Sequence, residues 1–171
     1  INSGKGSRES IGGETLSKAI RDARLDDDIK AVVLRINSPG GDALASDVIW
    51  REVVLTKEVK PIVVSMGDVA ASGGYYIACP ADKIYAHPNT ITGSIGVFGV
   101  LPNFGPMLED KFGITTDRVE TNEHSVLTLT QALTEDEEKI IQQGVDQIYD
   151  DFTKKVAEGR GMTQAEVDSI G

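Results

Sequence analysis

Apolar positions change their spacing along this chain, and the changes mark out its elements. From Gly13, the residues Leu16, Ile20 and Ala23 recur at helical spacing, which predicts a helix to about Arg24. Residues 31–36 (AVVLRI) form a short apolar run rich in β-branched side chains, as a buried strand requires. Asn37-Ser-Pro-Gly-Gly41 ends that run with turn chemistry. Asp42 to about Lys57 then reads as a helix, and Pro61 to Met66 as a second buried strand. The small-residue stretch Ala70 to Ala78 predicts a helix. Lys83–Ala86 and Ile95–Val100 predict strands, Gly105–Phe112 a short helix and Thr115–Glu120 another strand.

The clearest helix start is Thr134-Glu-Asp-Glu137. Thr134 can cap, Glu137 stands at the capping-box position, and acids crowd the positive end of the helix dipole. Ile140, Ile141, Val145, Ile148, Phe152 and Val156 carry its apolar face to about Ala157. Gly159-Arg-Gly161 ends it, and Thr163 caps a last short helix. Strands alternating with helices predict an α/β fold with a largely parallel sheet. Ligand loops in such sheets sit at the carboxyl ends of strands. The glycine-rich loops 37–41 and 66–74 both follow predicted strands.

Composition narrows the functional classes. The 171 residues suffice for one domain with a sizeable core, and the whole span 1–171 reads as a single domain behind a flexible Ile1–Ser10 lead. A formal charge of -10 argues against nucleic acid, which needs clustered positive charge, and against docking on anionic lipid. One cysteine, Cys79, permits no internal disulfide, and its place among small apolar residues predicts core packing. No run approaches the ~18 apolar residues of a membrane span. His87, His124 and Cys79 are too scattered to suggest a metal, and no cofactor is expected. The chain begins at Ile1 rather than Met and is expected to be a segment of a longer protein.

Three segments carry candidate chemistry. In Met66-Gly-Asp-Val-Ala-Ala-Ser72-Gly-Gly-Tyr-Tyr76, a serine sits among small residues between a strand and a helix. Small neighbours let a substrate backbone approach. A nearby amide, that of Gly73, is placed to bind a developing oxyanion. The competing reading is that these residues are small only to pack a helix against the sheet. In Ile36-Asn-Ser-Pro-Gly-Gly41, glycines after a proline let N–H groups turn toward an anion, with Gly41 the candidate second donor. Alone it is also a common turn. Thr90-Ile-Thr-Gly-Ser94-Ile-Gly96 places a second serine in a tight turn, either to orient a base or to cap its own turn.

A nucleophilic serine needs a base. His87 and His124 are the two histidines, and neither lies in a setting that marks it as one. Lysine is the other option, since a buried Lys can shed its charge. Lys57, Lys60, Lys83 and Lys139 all read as solvated surface charges.

INSPGG, AASGGYYIA, TITGSIGVFG and the late AEGRGM, in this order and spacing, resemble the signal peptide peptidase A (protease IV) family of S49 serine peptidases. The resemblance spans essentially the whole chain. It implies a Clp protease/crotonase-like spiral α/β fold with a mostly parallel sheet flanked by helices. It implies a Ser–Lys dyad that degrades cleaved signal peptides, and other apolar peptides, on the outer face of the bacterial inner membrane. By motif, Ser72 matches the nucleophile, Gly41 and Gly73 the oxyanion-hole positions, and Ser94 a serine bonded to the general-base lysine. One departure stands out. The short form of the family carries its lysine in a segment resembling S-G-x-x-K-D. The counterpart here is Thr121-Asn-Glu-His-Ser125, with Ser125 where the lysine would fall. The long form places nucleophile and lysine in different repeats. The resemblance therefore implies a carboxyl-terminal repeat whose lysine comes from an amino-terminal repeat outside this chain, in a tetrameric assembly. Two alternatives remain open on sequence: a non-catalytic peptide-binding or assembly module of the same fold, and a crotonase-type acyl-CoA enzyme.

Overall fold

The computed structural model describes residues 1–122 and 127–171. Helix α1 (Gly13–Leu25) leads into strand β1 (Val32–Ser38), then α2 (Ala43–Lys57), β2 (Ile62–Ala71), α3 (Gly73–Ala78), β3 (Lys83–Tyr85) and β4 (Ile91–Gly93). Helices α4 (Gly105–Phe112), α5 (Glu135–Arg160) and α6 (Gln164–Asp168) follow. Two compact units are present. The first comprises Ile1–Val97 and Ile148–Gly171, the second Phe98–Gln147, and α5 runs through both.

In the first unit all strand pairings are parallel, and β2 is the centre of the sheet. It pairs with β1 along one side. On the other side β3 takes its first half (Val63–Ser65) and β4 its last residues (Val69–Ala71). Period-two burial in β1 sends Leu34, Ile36 and Ser38 into the core and Val33, Arg35 and Asn37 to the opposite face. Leu34, Ile36, Ile62, Val64 and Met66 form one core with Ile49 and Val53 of α2 and Ile77 of α3. A second cluster joins Tyr76 and Cys79 of α3 to Ile95, to Phe152, Val156 and Ala157 of α5, and to Val167 of α6. Six-residue helices do not persist alone. Helix α3 is held because Ile77 faces one cluster while Tyr76 and Cys79 face the other.

Polar contacts fix the helices. Asp42 Oδ1 accepts from the Ala45 amide at 2.6 Å and starts α2. Glu52, buried on α2, accepts from Arg21 Nη2 at 2.6 Å and from Arg24 at 3.0 Å, which ties α1 to α2. Burial by itself raises the Glu52 carboxyl, but the hydrogen bonds and charges of the two arginines outweigh it and hold it below its ordinary value. Glu166 and Thr163 form a full capping box on α6.

In the second unit, α4 ends at Gly113 in the left-handed conformation. The Phe104 amide donates to Leu129 O at 2.7 Å. The capping box foreseen for α5 is present: the Thr134 amide donates to Glu137 Oε2 at 2.8 Å, and the Glu137 amide to Thr134 Oγ1 at 3.2 Å. Arg118 pairs with both Glu120 and Glu137.

Five expectations change. The lead expected to be flexible is anchored at its start: Ile1 is buried in the core, and the Asn2 amide donates to Ile11 O at 2.8 Å while Asn2 O accepts from the Gly13 amide at 2.9 Å. Strand β2 runs five residues beyond Met66, because β4 offers a partner to its second half. Ala70 and Ala71 therefore end a strand rather than begin a helix, and α3 starts only at Gly73. The strand after β3 is Ile91–Gly93, while 95–100 is irregular, because the Val69–Ala71 edge sets where pairing occurs. Thr115–Glu120 pairs with no strand among the described residues, so its β propensity is unused.

Candidate active site

The junction between β2 and α3 carries the strain of the molecule. Ser72 sits at φ 50°, ψ -122°, and Ser94 at φ 49°, the two non-glycine residues with positive φ among those described. Such a conformation costs about 1–3 kcal/mol and persists only where the surroundings over-determine it. They do so for Ser72. Its amide donates to Gly93 O at 2.8 Å, and its carbonyl accepts from Tyr75 and Tyr76, each at 2.9 Å. The bond to Gly93 also sets the Ser94 turn beside the Ser72 turn. Among the described residues neither serine hydroxyl has a hydrogen-bond partner.

The 38–41 loop packs directly on this junction. A Cβ on Gly40 would stand 2.6 Å from Gly73 N and 2.9 Å from Ser72 Cβ, so only glycine fits there, and its φ of 105° is a glycine conformation as well. On the other side of the contact, the place a Cβ on Gly73 would take lies 3.3 Å from Gly41 N and 2.5 Å from Ser46 Oγ. Gly74 abuts the Ser38 carbonyl in the same way. The loop thus brings the Gly41 and Gly73 amides to one place beside Ser72. No described carbonyl accepts from either amide.

Asn37 sets the stagger between the two arms. Ile36 pairs with Met66 but Ser38 with Ala70, so β2 carries two extra residues, Gly67 and Asp68. Asn37 Oδ1 fills that bulge. It accepts the Val69 amide at 3.1 Å and lies 2.8 Å from where a Gly67 Cβ would be. On the far edge Thr90 Oγ1 donates to Gly67 O and Thr92 Oγ1 to Ala70 O, both at 2.8 Å. Sequence reading left Asn37, Thr90, Thr92 and Gly40 without roles. The T-x-T alternation beside a strand was the available signal for the threonines.

The candidate bases fare differently. His87 is exposed, and its Nδ1 accepts the Asn89 amide at 3.4 Å within its own turn. His124 and Ser125 lie outside the described residues. Lys57 and Lys60 are not free surface charges as expected: Lys57 donates to Pro80 O at 2.8 Å and Lys60 to Ala23 O at 2.9 Å, each closing a backbone carbonyl. Lys139 pairs with Asp136 at 3.0 Å, and Lys83 is exposed. None of these four bonds Ser72. Burial pushes the Cys79 thiol up to about 12, which leaves it an inert core group. Among the described residues no three His, Cys, Asp or Glu side chains converge to hold a metal ion.

Where β2 passes from β3 to β4 lies a cleft of about 480 Å³ lined by Met66, Tyr75, Ile84, Thr92 and Arg160 among others, with neither Ser72 nor Ser94 in its lining. It is of mixed polarity and large enough for a side chain.

Residues 55–171 match the family model described as Peptidase family S49. The chain belongs to that family. Similar S49 relatives include "Protease 4" of Salmonella typhi, 42% identical over 171 residues. That alignment covers 99% of this chain and 28% of the relative. "Serine protease SPPA, chloroplastic" of Arabidopsis thaliana is 37% identical over 163 residues, 94% of this chain and 24% of the relative. This S49 chain therefore spans about a quarter of those proteins. Among solved structures, a mutant of ClpP1 from Listeria monocytogenes superposes with a TM-score of 0.57 at 16% identity, over 92% of this chain and 70% of that one. The S49 chain has the Clp protease-like fold.

Proposed function

We propose that this chain is the nucleophile-bearing module of a serine peptidase that cleaves apolar peptides, signal peptides among them. The observation that carries the reading is the strained Ser72, its hydroxyl unpartnered among the described residues, with the Gly40–Gly41 loop packed against it.

In this mechanism Ser72 Oγ attacks the carbonyl carbon of the scissile peptide while its proton passes to a lysine amine. The Gly41 and Gly73 N–H groups bind the oxyanion of the tetrahedral intermediate. Collapse breaks the C–N bond, and the lysine returns its proton to the leaving amine. Water then attacks the acyl-enzyme carbonyl and gives a proton to the same lysine; the C–Oγ bond breaks, the lysine returns that proton to Ser72 Oγ, and the carboxyl product leaves. Ser94, beside the Ser72 turn, orients the lysine. The lysine itself comes from outside this chain, from an amino-terminal repeat of the same protein. This accords with Lys57, Lys60 and Lys139 being engaged on carbonyls or a carboxylate. The full protein acts as a homo-oligomer, a tetramer, at the bacterial inner membrane with this domain on the extracytoplasmic side.

A second reading has an observation in its favour. Among the described residues no base reaches Ser72, so the fold suits a peptide-binding or assembly module as well. Peptide hydrolysis separates the two. The full-length protein is expected to cleave apolar peptides, this chain alone to show almost no turnover, and Ser72→Ala to lower kcat about 10⁴-fold or more. Normal turnover in full-length Ser72→Ala refutes the catalytic reading.

A further inference from the structure

Lys155 is a charged side chain that the mechanism does not use, yet it is tied to the helix that Ser72 begins. From α5 its ammonium donates to Asp47 on α2 and, at 2.7 Å, to the Tyr76 hydroxyl on α3. Tyr76 in turn donates to Asp47 Oδ1 at 2.9 Å, so three polar groups from three helices close on one another. The ammonium also stands 4.3 Å from the centroid of the Trp50 ring, a cation–π distance. This is no loose surface pair. The Lys155 side chain is 20% exposed and Tyr76 is buried. The Tyr76 ring packs on Phe152 with centroids 4.8 Å apart. Burial first, then the hydrogen bond and charge of Asp47, raise the phenol above its ordinary value, so the hydroxyl stays protonated and keeps donating.

The position of this cluster gives it consequence. Tyr76 lies one turn after Ser72 and donates its amide to the Ser72 carbonyl at 2.9 Å. Ser46, next to Asp47 on α2, lies against Gly73. Ile95, which follows Ser94, packs in the same apolar cluster as Tyr76 and Phe152. Helix α3 has six residues and makes no side-chain cap of its own, so its place depends on such outside holds.

We propose that Lys155 is a positioning residue for the Ser72 site: with Asp47 and Tyr76 it pins α3, so that the Gly73 amide and the Ser72 hydroxyl keep their relative places. The proposal rests on the reading of Ser72 as nucleophile. A pin of this kind acts on an oxyanion donor, where a displacement of about 1 Å lowers the rate by one to two orders of magnitude and leaves substrate binding largely intact.

The test uses the full-length protein with three single variants and the double variant Lys155→Met/Tyr76→Phe. Lys155→Met keeps the apolar stem and removes the charge and donors, Lys155→Arg keeps charge and donors, and Tyr76→Phe removes the hydroxyl. Peptide hydrolysis gives kcat and KM, and hydrogen exchange is followed on the α3 amides with α1 as the reference. Lys155→Met is expected to lower kcat about tenfold or more with KM within about twofold, and to quicken exchange in α3 but not in α1. Lys155→Arg is expected to recover most of the loss, and Tyr76→Phe to add little to Lys155→Met. An unchanged kcat in Lys155→Met overturns the proposal. So does a fall in kcat accompanied by equally faster exchange in α1, which would be general destabilisation. If the wild-type protein shows no Ser72-dependent turnover, the peptidase reading fails by itself, and exchange alone judges the pin: unchanged α3 protection in Lys155→Met then overturns it.

Discussion

Ser72 holds a backbone conformation that glycine adopts freely and serine does not. Removing the side chain should therefore separate strain from chemistry. Ser72→Gly is expected to stabilise the protein by about 1 kcal/mol relative to Ser72→Ala, while both lose peptidase activity. Thermal or urea unfolding of the pair checks it, and equal stabilities would mean that no strain is stored there. The sequence marked Ser72 through its small neighbours, because close approach of a second loop demands small residues wherever it happens. It could not say which glycine makes the approach. Gly41 is the donor the motif suggests, and the structure adds Gly40 as the position where an added Cβ would collide with Gly73 N and Ser72 Cβ. Lys155 was invisible for a different reason. Its partners Asp47 and Tyr76 are 108 and 79 residues away, and no local pattern announces such a meeting.

At the scale of elements, the two arms of the site hang from neighbouring strands, and their stagger depends on one bulge. Asn37→Ala empties the space beside Gly67 and leaves the Val69 amide without its acceptor. A stability loss of about 1–2 kcal/mol is expected, with kcat falling more than KM rises. Unfolding and steady-state kinetics report both, and an unaltered kcat would show that the stagger does not matter. Helix boundaries were largely legible: α1, α2, α4 and α5 fall within a few residues of their predicted spans, because caps and apolar periodicity are local. Strands were less so. The 95–100 and 115–120 runs have β-forming residues, but strand formation needs an edge to pair with, and the edge of β2 takes 91–93 instead. The α1–α2 contact was equally hidden, since Glu52 meets Arg21 and Arg24 across helices. Breaking it with Glu52→Gln leaves Arg24 facing a neutral partner in a buried setting and is expected to cost about 3 kcal/mol. The Glu52 carboxyl is held below its ordinary value, so this stabilisation is complete above the ordinary carboxylate range. It is lost as pH falls through and below about 4. Acid titration of stability should therefore be shallower in Glu52→Gln than in wild type.

For the whole molecule, membership of the S49 family and the Clp protease-like fold agree with what four motifs in register implied. The chain spans 28% of the length of the Salmonella protein. Of the Thr121–Ser125 segment, Glu123, His124 and Ser125 lie outside the described residues. Nucleophilic attack by Ser72 Oγ is the central step of the proposed reaction. The direct measurement is to treat the active full-length protein with a serine-directed fluorophosphonate and locate the adduct by peptide mass mapping. A single adduct on Ser72, absent from Ser72→Ala, is the predicted result. A fully active protein that carries the adduct on another serine, or that is inhibited with Ser72 unmodified, would contradict it.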